Sequence, residues 1–505
     1  MIFPKINSVK NEDKIMSQSL CIFNPNERNT KNAISRFSSI ISAQYIGQKA
    51  KAVGLIKRRV NLNPNKLVLS TLSAVGDSGE ELKIASIKAR YSAMCRSGED
   101  MYYKPFHNRF RSEEFTLTMM DLFCKLQQKV AGTIDNPAVR KLIGSMNQSG
   151  IDIDDIYIHD GSYWHVNGAL SDIFPGTRTA EKGKGKASKA KNQYSKLVDT
   201  NGKELTENIG NAEIGIQMTW SLRHSCVMSL GIGAGTENER NYVYETSSKK
   251  VLHLFDAGYV DFNMYQTIEN SNGYFLGKLR SNAAGTIRSC RMGKLDLTKM
   301  FSGKKLSDPD VRYYLKHRSM DLNVEFKGSK YRVIRVFSKK DDKVQFLITN
   351  IMQSRINANV ITAIYKLRWQ IELRFKELKS ASNLRGVNTR ITNIIYSLLM
   401  ASLIVGLLKT LVAYALEVKM KIDPSSYKIS IRARNWFGEF IKALTAGNHS
   451  KIKEIIYGMA KSKDSYTKER QSRKKHIELK TLKSTITFIL KGLCATGFEP
   501  VLVES

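Results

Sequence analysis

The segment Tyr365-Lys366-Leu367-Arg368-Trp369-Gln370-Ile371-Glu372-Leu373-Arg374-Phe375-Lys376-Glu377-Leu378-Lys379 gathers residue types that handle phosphate and hard metal ions. It is built of good helix formers, with neither Gly nor Pro, and reads as one helix. At about 100° per residue, Tyr365, Arg368, Glu372 and Lys379 fall within roughly 60° of one another. The apolar residues Ile364, Leu367, Ile371 and Leu378 form a separate, inward stripe. One helix edge therefore presents a phenol, a guanidinium, a carboxylate and an ammonium. A carboxylate holds a hard divalent cation, and Arg and Lys hold phosphate. That set suits phosphodiester chemistry on a nucleic acid. The plainer alternative is a solvated face with (i, i+4) ion pairs, Arg368 with Glu372 and Glu372 with Lys376.

Such chemistry needs further carboxylates, and strands upstream offer them. Asp155-Ile156-Tyr157-Ile158-His159-Asp160 alternates as a strand and stops at Gly161-Ser162. Val251-Leu252-His253-Leu254-Phe255-Asp256 is continuous and apolar, a central strand, and turns at Ala257-Gly258-Tyr259. In open α/β sheets, sites form beyond the carboxyl ends of strands. Asp160 and Asp256 would then share an edge with Glu372. Taken singly, each Asp is also an ordinary turn residue, and Asp152, Asp154 and Asp155 are nearby alternatives with the character of solvated loop charges. Two Mg²⁺ ions about 3.5–4 Å apart need such a carboxylate set for in-line phosphoryl transfer.

The remaining pattern is mixed. Ala33 to Val130 reads as helical, with Ser112-Glu113-Glu114 as a capped, acidic first turn. Gly215 to Leu222 and Tyr274 to Leu276 read as strands around a helix near Asp261 to Asn270. Residues 285 to 350 are strand-rich. Ile394 to Leu416 approaches the ~20 residues of a membrane span. Lys409, Ser397 and Ser402 interrupt it, so a buried core helix is expected. Glu181 to Lys191 is a Lys/Gly run, expected as a flexible loop.

The chain has 505 residues and a net charge of +34, with a pI near 9.8. That excess favours a polyanionic partner, nucleic acid first and an anionic membrane second. The 6 cysteines form no CxxC pair, which fits free thiols in a reducing cytosol. Met1-Ile2-Phe3-Pro4-Lys5 has no apolar signal core. The chain contains no GxxxxGK[ST], HExxH or GxSxG, and its 8 histidines show no paired metal spacing.

Tyr365, Arg368, Glu372 and Lys379 stand in a spacing that resembles the Y-R-E-K signature of bacterial insertion-sequence transposases of the DDE superfamily. The stretches His159–Gly176, Leu254–Tyr265 and Tyr365–Leu384 resemble the segments around that family's first, second and third catalytic acids. Ile56–Leu72 and Tyr102–Phe115 resemble its N-terminal helical region. The resemblance implies an α/β fold: a ribonuclease-H-like mixed sheet core, interrupted by a β-rich insertion and flanked by N- and C-terminal helical regions. Expected boundaries are an irregular segment 1–35, a helical DNA-binding domain 36–145, a first core part 146–284, the insertion 285–350, the core completion 351–415, and a helical C-terminal region 416–505 serving dimerisation.

The resemblance further implies that Asp160, Asp256 and Glu372 are catalytic and bind two Mg²⁺, with Mn²⁺ able to substitute. Tyr365, Arg368 and Lys379 would contact DNA phosphates at the element end. The expected partners are double-stranded DNA, both terminal inverted repeats and target, and a second copy of the chain in a synaptic homodimer. No membrane is involved, and the location is the bacterial cytoplasm at the nucleoid. The expected course is cut and paste. Water nicks the end, the freed 3′-OH attacks the opposite strand to form a hairpin, and the reopened end attacks target DNA. Related enzymes stack a flipped base on an aromatic of the insertion, often Trp. Here the only Trp between Phe275 and Glu372 is Trp369, inside the helix, which leaves Tyr313, Tyr314 or Phe326. An inactive DNA-binding relic and a hydrolytic nuclease on the same core are the alternatives. Intact acids argue against the relic, since binding alone needs no acidic cluster that repels phosphate.

Overall fold

The computed structural model describes residues 39–57, 62–77, 82–97, 99–176, 212–242, 250–280, 282–314, 316–338, 343–381, 389–420, 424–466 and 482–494. The expected irregular segment 1–35 and the Lys/Gly run Glu181 to Lys191 lie outside them.

A 10-stranded mixed sheet runs through the molecule in the order β3-β2-β1-β4-β5-β10-β9-β8-β6-β7. Its strands are β1 (Asp155–His165), β2 (Glu213–Ser221), β3 (Cys226–Ala234), β4 (Val251–Phe255), β5 (Tyr274–Leu279), β6 (Thr286–Met292), β7 (Leu295–Asp296), β8 (Met320–Phe326), β9 (Ser329–Ser338) and β10 (Lys343–Thr349). β4 pairs parallel with both β1 and β5, and the remaining neighbours are antiparallel. This is the expected mixed sheet. β4 is buried along its whole length, the reason its sequence is apolar apart from His253.

Helices surround the sheet. Before it come α1 (Ala43–Ala52), α2 (Pro64–Gly76), α3 (Ile84–Met94), α4 (Tyr103–Phe110), α5 (Glu113–Ala131) and α6 (Pro137–Gln148). The Ser112 hydroxyl caps α5 by accepting from the Phe115 N–H. α7 (Phe262–Asn270) links β4 to β5, and α8 (Thr298–Phe301) and α9 (Pro309–Tyr314) lie between β7 and β8. After the sheet come α10 (Ala358–Lys366), α11 (Trp369–Ala381), α12 (Thr392–Met420), α13 (Ser426–Ile431), α14 (Phe437–Thr445), α15 (His449–Lys461), α16 (Lys463–Tyr466) and α17 (Leu482–Cys494). α17 packs back on α6 and α10.

Two expectations need correction. β1 does not stop at Gly161-Ser162. β2 keeps pairing with it out to His165, so Asp160 is mid-strand. The Tyr365–Lys379 segment is not one helix either. Around Leu367 and Arg368 the backbone tightens to i→i−3 bonds, with the Arg368 N–H donating to the Tyr365 carbonyl at 3.0 Å. Tyr365 therefore lies in the last turn of α10, which ends at Lys366, and Glu372 sits in the first turn of α11.

The long apolar helix α12 is a core helix. Its spanning-length window is 83% buried, packed chiefly on α5 and α2. Its polar residues have partners inside: Thr116 Oγ1 lies 2.9 Å from Ser397 Oγ and donates to the Asn393 carbonyl at 3.0 Å. Lys409 is the costly member. Burial pulls its ammonium down to about 8, although Glu377 and Asp77 act in the other direction. The unfolded chain keeps this proton to higher pH, so stability rises as pH increases through that window and the penalty is fully present below about pH 8. The shift corresponds to about 3 kcal/mol at most. Lys409→Met is therefore expected to raise the melting temperature at pH 7 by a few degrees, with a smaller gain at pH 10. A loss at pH 7 would mean that the Glu377 and Asp77 attractions outweigh burial.

The β6–β9 segment is stitched into the core. β10 pairs with β5 on one side and β9 on the other. Phe255 and Phe275 of the core strands share a hydrophobic cluster with Phe301, Val311, Val324 and Tyr331. Buried Arg332 on β9 holds Asp321 at 2.9 and 2.7 Å and donates to the Ile356 carbonyl at 2.7 Å, just before α10.

Candidate active site

The parallel register between β1 and β4 sets the first two acids. The last paired residues are Ile158 and Leu254, so Asp160 and Asp256, two positions on, stand level on neighbouring strands. Both follow the buried residues Ile156, Ile158, Leu252 and Leu254 onto one face of the sheet. Each aspartate accepts from the next backbone N–H, Gly161 at 3.0 Å and Ala257 at 2.8 Å.

α11 covers that face. Ile371, Phe375 and Leu378 are buried, and Phe375 meets Trp164 of β1 edge-on at 6.2 Å. The Arg368 guanidinium pairs with Asp160 at 3.2 Å and also with Glu372. The Tyr365 hydroxyl lies 3.4 Å from Asp256 Oδ1. Five of the six expected site residues thus meet in one cluster. Lys379, the sixth, lies two turns further along α11, with Nζ 5.0 Å from the centre of the Trp164 ring.

The charges explain the pairing. Burial pushes the Asp160 carboxyl up to about 6 despite the pull of Arg368, and the charges of Glu372 and Asp256 push the same way. For Arg368, burial acts downward, but Tyr365, Asp160, Asp256 and Glu372 outweigh it and hold the guanidinium charged. The site is an acidic cluster that needs positive charge, and Arg368 supplies one unit. Its donors are carboxylate oxygens, the set a hard divalent cation prefers. As placed, no three His, Cys, Asp or Glu side chains among the described residues stand close enough to share one ion. Arg368 lies between two of the acids. The carboxylates of Asp160, Asp256 and Glu372 fit such an ion in chemistry and charge, and would hold it only with Arg368 displaced from between them.

Several sequence candidates play other parts. Asp155 is buried, accepts from Ser221 Oγ at 2.6 Å and from the Arg223 N–H at 3.2 Å, and is no solvated loop charge. His159 and His253 are buried and hydrogen-bonded to each other at 3.0 Å, on the opposite sheet face from Asp160. Phe326 is buried against Phe262, and Tyr314 carries Arg318 at 4.3 Å over its ring. Of those three aromatics, Tyr313 is the open one, at 85% exposure. Trp369 opens α11 beside Arg368 and is 54% exposed. Sequence reading missed Gln217, Tyr259 and Glu239, which gather behind the aspartates. No local pattern signals them, because strand register brings them together.

A family model described as the transposase DDE domain matches residues 154–407, half of the 505-residue chain. The chain belongs to that family. The matched region starts just before β1 and ends within α12, so it includes every residue of the cluster. DDE transposases in general use divalent metal ions. The transposase for insertion sequence element IS1151 of Clostridium perfringens is 25% identical over 215 residues, covering 35% of this chain and 45% of that relative. The match therefore spans less than half of that relative's length. Among solved structures, a piggyBac transposase in a synaptic complex with hairpin DNA superimposes with a TM-score of 0.40 and 10% identity, over 88% of each chain.

Proposed function

We propose that this chain is a DNA transposase that cuts the ends of its own insertion sequence and joins them to target DNA. The observation that carries the reading is the meeting of Asp160, Asp256 and Glu372 around Arg368 and Tyr365, within a DDE domain. Asp160, Asp256 and Glu372 would hold Mg²⁺, which, when bound, lowers the barrier to in-line displacement at phosphorus. Arg368, released from the acids, turns to a phosphate of the end, and Tyr365 and Lys379 hold neighbouring phosphates. The first displacement uses water and leaves a 3′-OH and a 5′-phosphate. That 3′-OH then attacks the opposite strand, closing a hairpin and expelling the flanking DNA; a second water reopens the hairpin and regenerates the 3′-OH, which finally attacks target DNA.

Purified protein with labelled DNA carrying the element end tests this. Cleavage at the boundary in Mg²⁺ and none in EDTA is expected, with a denaturation-resistant hairpin product. Light scattering should read two chains on two ends. Binding with no cleavage in Mg²⁺ or Mn²⁺ would replace the reading with a DNA-binding relic.

The N-terminal helices would grip the duplex. Phe106 and Phe110 bury α4 against Tyr91 and Phe115. Its outer side shows Lys104 and Arg111, with Tyr102 just before it at 90% exposure. The preceding acids are neutralised, Glu99 by Lys66 and Asp100 by Lys88. Changing Lys104, Arg109 and Arg111 together to Ala is expected to weaken end binding. It should also flatten the log–log salt dependence by about 0.9 per lost phosphate contact. An unchanged slope would place these residues away from DNA.

A further inference from the structure

The β1–β4 ladder ends at Ile158 and Leu254, two residues short of Asp160 and Asp256. At the level of the acids, no ladder bond ties the two strands. A polar ring on the opposite face closes the gap. Tyr259, in the one-turn helix Ala257–Tyr259 after Asp256, donates its hydroxyl to Gln217 Oε1 at 3.1 Å. Gln217 stands on β2 directly across from Gly161, and its side chain also hydrogen-bonds the Tyr163 hydroxyl. Tyr163 donates to Glu239 Oε1 at 2.6 Å. Arg240, next in the chain, donates from Nε to the Gly258 carbonyl at 3.1 Å, which returns the circuit to the Asp256 turn.

Two glycines make the close approaches. A Cβ at Gly161 would collide with the Gln217 carboxamide, and one at Gly258 would stand 3.2 Å from Glu239 Oε2. Tyr259 and Gln217 are 2% and 5% exposed, so the bonds between them are shielded from water. The ring passes one residue from Asp160 and two from Asp256, and it joins the two segments where the sheet no longer does.

We infer that Tyr163, Gln217, Tyr259, Glu239 and Arg240 are positioning residues that set the spacing of Asp160 and Asp256. The inference rests on the reading that these acids hold the metal. Mg²⁺ demands near-ideal octahedral geometry, so the spacing of its carboxylates governs affinity as well as rate.

Tyr259→Phe and Tyr163→Phe each open the ring at a different point by removing one hydroxyl. Tyr265→Phe is the matched control, because that buried hydroxyl has no hydrogen-bond partner among the described residues. In the full chain, each ring variant should lower Mn²⁺ affinity, read by EPR of the free ion without DNA, about 10-fold. Cleavage of prebound end DNA in saturating Mg²⁺ should slow about 10- to 100-fold. End binding in EDTA should stay at the wild-type value, the melting temperature should fall by no more than a few degrees, the cost of one unpaired buried partner, and Tyr265→Phe should change nothing. The double variant should match the worse single one, since one break already opens the circuit.

Unchanged Mn²⁺ affinity and cleavage in both ring variants, with an active wild type, would overturn the positioning role alone. Additive losses in the double variant would overturn the closed ring. A wild-type protein that neither binds Mn²⁺ nor cleaves would overturn the metal-site reading beneath it.

Discussion

Glu372→Gln is expected to abolish cleavage, by on the order of 10³-fold, while end binding stays close to wild type. The substitution keeps the side chain's size and removes one negative charge and a metal-holding oxygen anion. Glu372 has 31% of its side chain exposed, in the first turn of α11, and it contributes little to the core. The loss should therefore appear in chemistry and not in folding. Arg368 would keep its pairing with Asp160, so the cluster should stay assembled. Gel shift in EDTA and single-turnover cleavage in Mg²⁺ separate the two effects. Full cleavage by this variant would remove Glu372 from the metal set.

Arg368→Ala should have two large and opposed signatures. Without the guanidinium, the acids lose their only described ion-pair partner in the cluster, and Asp160 is already pushed up to about 6 by burial. Breaking one side of a buried pair costs about 3–5 kcal/mol, and the partial exposure of Glu372 reduces this to about 1–3 kcal/mol. The metal-free variant should melt lower than wild type. A divalent cation should restore it, because the ion would enter without displacing a rival charge. The melting temperature of the variant should thus depend more steeply on Mn²⁺ concentration than that of wild type. Cleavage should fall about 100-fold, and the salt dependence of end binding should flatten by about one phosphate. If Mn²⁺ stabilises variant and wild type equally, Arg368 does not compete with the ion.

Much of this arrangement is legible before folding is considered. β4 announces itself because both of its faces are buried, which demands a run that is apolar apart from His253. Asp160 and Asp256 are conspicuous as acids at the close of apolar stretches. Other features are written in contacts that have no local signature. Cys226 to Ala234 forms β3 although it carries Gly231 and Gly233, a residue type depleted in strands. The Tyr242 side chain lies where side chains at those glycines would go. The break between α10 and α11 has no Gly or Pro to betray it. It arises where Tyr365 must reach Asp256 while Arg368 reaches Asp160. Gln217 and Tyr259 are 42 residues apart and meet only once β2 is in register with β1.

The continuity of the sheet limits how this protein could be rebuilt or could diverge. β6 to β9 are not an ornament that can be lifted out, since removing them strips one edge of β10 of its partners and takes Arg332 away from the approach to α10. An exposed strand edge of that length invites pairing with other chains. Exchange of this segment between relatives is therefore an all-or-nothing graft: a donor piece must match the hydrogen-bonding frame of β10 and supply its own clasp on the Ile356 carbonyl. Substitutions within the segment can accumulate one at a time, whereas changes in its length must fall in the turns, where no strand neighbour counts residues.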